Sequence, residues 1–156
     1  MSRAFVKETD ETFESLPDRP ISSHQNLVTP EGLELIEAAL ARLRQERALA
    51  QSANDRAAQA RIARDLRYWT SRHSTAQVVH ASKDAAVVRF GCKVTIARDD
   101  GRRESYRIVG EDEAEPSRGT LSYVSPVARA LMGRQVGDVV RVGSSEAEIL
   151  EIKPYR

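Results

Sequence analysis

The chain has 156 residues, and its 24 lysines and arginines stand against 23 aspartates and glutamates, a formal net charge of +1. Bulk charge therefore predicts neither a nucleic acid nor an acidic partner, and the placement of charge has to carry any such argument. The single cysteine, Cys92, excludes an internal disulfide and a cysteine-based zinc site and fits a reducing cytoplasm; no apolar run approaches the roughly 18 residues of a membrane span.

Residues 1–26 carry Asp10, Glu11, Glu14 and Asp18 with Pro17 and Pro20, and few large apolar side chains. Such a stretch buries too little surface to offset its ordering entropy, which predicts a flexible N-terminal extension or a contact arm that orders on a partner. It lacks the apolar core of a signal peptide, so a soluble cytoplasmic protein is expected. At Thr29-Pro30-Glu31 a helix begins, with threonine as cap, proline in the first turn and an acid near the positive end of the dipole. Leu33, Ile36, Leu40 and Leu43 recur at spacings of three and four, and so do Ala58, Ile62, Leu66 and Trp69. The polar break Gln51-Ser-Ala-Asn-Asp55 separates them, which predicts an antiparallel helical hairpin, a short coiled coil, over residues 27–75 with Asn54 and Asp55 at its tip.

From Arg42 to Arg67 seven arginines face three acids, Glu46, Asp55 and Asp65, a local excess of four positive charges. A basic tip repels a metal ion and attracts phosphate. Arg47, Arg56 and Arg61 are the candidate basic patch, offering contacts to RNA or DNA phosphates through the hairpin.

Residues 76–156 read as an α+β domain: an antiparallel sheet with one short helix. Strands are expected at 77–80, 86–90, 93–97, 105–109, 120–124, 139–142 and 147–152, with Asp99-Asp100-Gly101 as a hairpin turn. The acidic run from Glu111 to Glu115 reads as a solvated turn. Ser125 and Pro126 open a helix at 127–132 that Gly133 closes. His24, His73 and His80 lack metal-ligand spacing, and no nucleophile triad or glycine-rich phosphate loop is visible. No catalytic residue, metal or cofactor is expected.

The order strand, acidic turn, strand, capped helix, strand across residues 105–142 resembles the C-terminal domain of the GreA/GreB transcript-cleavage factors. Val88-Arg-Phe90-Gly91 and Val136-Gly137-Asp138-Val139-Val140 extend the resemblance. Met1-Ser-Arg-Ala-Phe5-Val-Lys-Glu8 and Leu27-Val28-Thr29-Pro30-Glu31-Gly32-Leu33 look like the GreB side. The resemblance implies an FKBP-like domain that docks on RNA polymerase at the rim of the secondary channel, where the family's Asp-Ser-Pro triplet contacts a coiled coil. Here the triplet is Val124-Ser125-Pro126. It also implies a hairpin probe whose tip holds two acids, in a pattern like Gly-Asp-x-x-x-Glu-Asn, that help retain a second magnesium ion, a hard cation that needs oxygen ligands.

This chain offers Asp55 alone, and its hairpin is shorter by about ten residues per arm, roughly 15 Å of reach. Both departures shift the resemblance toward non-cleaving relatives such as the regulator of nucleoside diphosphate kinase. The expected function is a monomeric, non-catalytic elongation regulator that binds RNA polymerase. A second reading is a weak cleavage-stimulating factor that uses Asp55. A third, from the FKBP-like fold, is a peptidyl-prolyl isomerase; it requires an aromatic-lined pocket, and the domain's aromatics are Phe90, Tyr106, Tyr123 and Tyr155.

Overall fold

Thr29 ends a two-residue strand, β1 (Leu27–Val28), and its hydroxyl accepts the Gly32 N–H at 3.0 Å, which starts helix α1 (Pro30–Ser52). The computed structural model describes residues 15–155. A three-residue turn leads to α2 (Arg56–Thr75). The two helices close on a seam of Leu43, Ala50 and Ile62, with the partly buried Ala58, Leu66 and Trp69 packed against it, so the two apolar stripes face inward. The Trp69 ring stands edge-on to Tyr68, with centroids 5.2 Å apart.

By their internal contacts the described residues divide into two units: one holds residues 15–23 and 34–75, the other residues 24–33 and 76–155. The first turn of α1 thus groups with the C-terminal domain. In the first unit, residues 16–19 contact α2: Asp18 pairs with Arg67 at 2.5 Å, Arg67 also donates to the Leu16 carbonyl, and the Arg19 guanidinium lies 3.9 Å above the Tyr68 ring. The acidic extension of residues 1–14 lies outside the described residues.

In the second unit β2 (Gln77–Val78) pairs in parallel with β1. The main sheet follows: β3 (Lys93–Arg98), β4 (Arg103–Val109), β5 (Thr120–Ser122), β6 (Val139–Val142) and β7 (Ser145–Lys153), in the order β5-β4-β3-β7-β6. The sheet is mixed, not wholly antiparallel as the turn signals predict. A single turn of 3₁₀ helix (Pro116–Arg118) carries the chain back so that β5 runs parallel to β4. The core face alternates as half-buried strands do: Val94 and Ile96 on β3, Val140 and Val142 on β6. On β7 the spacing skips, because a register shift between Thr95 and Ile96 lets Ile149 and Ile152 both point inward. Helix α3 (Pro126–Leu131) covers this face with Ala128 and Leu131.

Three of the expected strands are cut short or lost, and that at 120–124 stops at Ser122. The strand at 77–80 stops at Val78. Residues 86–90 alternate in burial but form no strand: Val88 and Phe90 enter the core while Val88 exchanges hydrogen bonds with Gly133 and Arg134, in the loop after α3. Alternation there records burial without a ladder.

Candidate functional site

The hairpin tip is made by local backbone chemistry. Asn54 adopts a left-handed conformation, φ 52°, which asparagine tolerates better than most residues. The Asn54 N–H donates to the Gln51 carbonyl and the Asp55 N–H to the Ala50 carbonyl, the paired bonds that close a helix at a left-handed residue. Asp55 then caps α2, its Oδ1 accepting the Ala58 N–H at 3.1 Å. The Gln59 side chain adds a bond to the Ala50 carbonyl. Both tip residues are thus occupied in joining two helices across a very short turn.

The other acids near the tip are paired with arginines, Glu46 with Arg42 at 3.6 Å and Asp65 with Arg19 and Arg64 at 3.4 and 3.5 Å. Among the described residues no group of three or more His, Cys, Asp or Glu side chains is placed to hold a metal ion. The donor set at the tip therefore does not fit the acid pair that the family resemblance implies: Asp55 caps a helix, and Glu46 and Asp65, which line the same cleft, are paired with arginines. The three arginines of the basic patch do not share one surface. Arg47 and Arg56 line a shallow cleft with Asn54, whereas Arg61 lines a different one beside Asp55 and Asp65.

The second candidate surface is the turn before α3. Ser125 is extended (φ −65°, ψ 152°) and its Oγ accepts the Ala128 N–H at 3.3 Å; Pro126 fills the first helical position. The Val124 N–H donates to the Ser122 Oγ. Behind the turn, Tyr123 packs edge-on against Phe90 and donates its hydroxyl to the Gln25 carbonyl. Val124 and Ser125 are half-buried and Pro126 is exposed, so the turn presents a fixed proline corner over a packed base of Ala128 and Leu131. Gly133 has φ 80°, the left-handed position expected after the helix.

The acidic run 111–115 contains a residue that the sequence reading missed. Glu113 does not face solvent as a simple turn residue. Its carboxylate accepts the Thr29 N–H at 2.9 Å, the Gly110 N–H at 3.2 Å and the Thr29 hydroxyl. This locks the start of α1 to the end of β4. Gly32 and Gly110 make room for it: a Cβ on Gly32 would fall 2.1 Å from the Glu113 carboxylate, and one on Gly110 2.3 Å from the Leu27 carbonyl. Eighty-four residues separate Thr29 from Glu113, so no local pattern signals the pair.

A second polar group, Arg98, Glu104 and Tyr106, lies on the core side of β3 and β4. Glu104 accepts the Tyr106 hydroxyl at 2.6 Å and the Arg98 guanidinium at 3.1 Å. These bonds lower the Glu104 pKa, the tyrosine contributing most, and raise that of Tyr106. The four aromatics of the domain are dispersed: Phe90 with Tyr123, Tyr106 with Glu104, Tyr155 with Arg107.

Residues 83–154 match the family described as "Transcription elongation factor, GreA/GreB, C-term". That stretch is thus similar to the C-terminal domain of the GreA/GreB family. Among curated GreA/GreB relatives, GreA of Hyphomonas neptunium is 43% identical over 83 residues, 49% of this chain and 53% of that protein. GreA of Alkalilimnicola ehrlichii is 42% identical over 87 residues, 51% of this chain and 55% of that one. The chain thus spans about half the length of the curated relatives it matches. Among solved structures, GreA factor homolog 1 of Thermus thermophilus matches with a TM-score of 0.41 at 23% identity over 83% of this chain and 99% of that chain. The GreA/GreB factor from Nitrosomonas europaea has a TM-score of 0.42 at 17% identity over 81% and 98%. Among the described residues no helix is long and apolar enough to cross a membrane.

Proposed function

We propose that this factor docks on RNA polymerase through the Val124-Ser125-Pro126 turn at the rim of the secondary channel, and that its hairpin occupies the channel without stimulating transcript cleavage. The observation that carries the second half is the engagement of Asp55 as the cap of α2, in a cleft where Glu46 and Asp65 are paired with arginines. Retaining a second magnesium ion beside a scissile phosphate needs free carboxylate oxygens, and a capping carboxylate whose neighbouring acids are paired with arginines retains a dication poorly. Arg47 and Arg56, which line one cleft, are suited to phosphate or acidic protein surfaces and make binding salt-dependent. Such a protein regulates by occupying the channel in place of a cleaving factor.

The test uses a backtracked elongation complex. The wild-type protein is expected to release no cleavage product at any magnesium concentration and to inhibit an added cleavage factor. Products that appear with the wild type and vanish in Asp55→Asn would establish the weak-cleavage reading instead. In a pull-down with core polymerase, the folded Ser125→Ala/Pro126→Ala double variant should bind about tenfold more weakly, the scale of losing a central contact. Full affinity in that variant would move the docking surface elsewhere.

A further inference from the structure

The geometry points to a nucleoside-phosphate site on the outer face of the sheet, centred on Arg107 and Tyr155. Arg107 on β4 lies opposite Lys93 on β3, and Lys93 lies opposite Lys153 on β7, so three cations stand side by side across three neighbouring strands. Like charges directly opposite one another destabilise a sheet unless something neutralises them. Lys153 has Glu151 at 3.2 Å, but Lys93 has no ion-pair partner among the described residues. Lys93, in the middle of the row, is left open to an anion from outside the chain.

Arg107 is held as a fixed donor. Its guanidinium stacks 3.8 Å from the centre of the Tyr155 ring, and one terminal nitrogen reaches Glu31 at 3.3 Å. The Arg107 side chain is only 14% exposed, and its Nε is buried without a hydrogen-bond partner. Clefts open on both sides of the pair and share Arg107 and Tyr155; one includes Lys83, the other Lys93 and Arg118. Four cations line the two clefts; Arg107 has Glu31 and Arg118 has Glu115 at 3.4 Å, which leaves Lys83 and Lys93 without an ion-pair partner among the described residues. Such a concentration of cations selects a phosphate over a neutral ligand.

Tyr155 narrows the ligand from any anion to a nucleotide. Arg107 covers one face of the ring, yet the residue stays 42% exposed at the edge of both clefts. An aromatic ring beside clustered cations offers a base a surface to stack on while its phosphate reaches the charges. The site lies on the C-terminal domain and does not depend on polymerase docking.

The full-length protein, labelled with ¹⁵N, is titrated with adenosine monophosphate, inorganic phosphate and adenosine. Saturable amide shifts at Lys93, Arg107 and Thr120 are expected with the nucleotide. Inorganic phosphate and adenosine should each bind at least about tenfold more weakly, the scale of one lost stacking or charge contact. Tyr155→Ala should lose about tenfold and Tyr155→Phe almost nothing, because the ring and not the hydroxyl is used. Lys93→Gln, at an exposed position that leaves the core intact, keeps the test decisive if Tyr155→Ala disturbs the fold, and should also weaken binding. Arg141→Gln, which removes a cation from β6, should change nothing. Absence of saturable shifts, shifts confined to the hairpin, or unchanged binding in Lys93→Gln would overturn the site. A short single-stranded RNA that binds more tightly than the mononucleotide, and loses that gain in Tyr155→Ala, would overturn the free nucleotide as the ligand.

Discussion

Thr29 and Asp55 each end a turn and cap a helix, but their surroundings differ. Thr29 is 1% exposed, and its backbone N–H and hydroxyl are gripped by Glu113 from a distant loop. Asp55 is exposed, and its one side-chain hydrogen bond among the described residues goes to Ala58, three positions on. A cap tied down by tertiary contacts belongs to the fold, whereas a cap satisfied by its own turn can be exchanged for another with little consequence for the fold. Mutations at the tip should therefore change function before stability, and those at the start of α1 the reverse. Ser125 stands between them, its cap local but its helix seated on fully buried Ala128 and Leu131.

The largest effect is expected at the clamp. Glu113→Ala strips the acceptor from two backbone N–H groups and a hydroxyl, and should cost about 2–3 kcal/mol, the range for removing a charged partner from part-buried donors. Urea denaturation followed by far-UV circular dichroism measures it; a loss under about 0.5 kcal/mol, the level of a surface substitution, would make Glu113 an ordinary turn residue. Ser125→Ala comes next, at about 1 kcal/mol for a lost helix cap, read from the same denaturation midpoint. Asp55→Ala should cost only about 0.5 kcal/mol and Asp55→Asn close to nothing, since asparagine caps as well as aspartate does. If Asp55→Ala proved as costly as Glu113→Ala, the contrast between the two helix starts would fail.

What was legible in the sequence follows the same division. The hairpin, its seam, its turn and the Ser125-Pro126 helix start were readable because each is set within one or two turns of chain: spacings of three and four, a capping side chain, a proline in the first turn. The parallel pairing of β5 with β4 was not, since it depends on how the 3₁₀ turn at Pro116–Arg118 redirects the chain. Residues 86–90 show the limit of periodicity, because Val88 and Phe90, on either side of exposed Arg89, turn inward for reasons of burial alone. The role of Glu113 was hidden inside a run of acids whose members look interchangeable until one of them meets Thr29. Arg47, Arg56 and Arg61 were grouped by charge, but position around the hairpin assigns them to two clefts.

The parallel pair of β1 and β2 also says something about the length of the hairpin. Leu27 lies beside Gln77 and Val28 beside Val78, so the chain leaves the domain and returns to it through adjacent, hydrogen-bonded strands. Everything from Pro30 to Thr75 is an excursion whose two ends are already joined. Its reach is then an adjustable dimension: matched whole turns, added to or removed from both arms, alter how far the tip extends while the strand pair at its root stays in register. The hairpin can thus change length with no redesign of the strands that close its two ends.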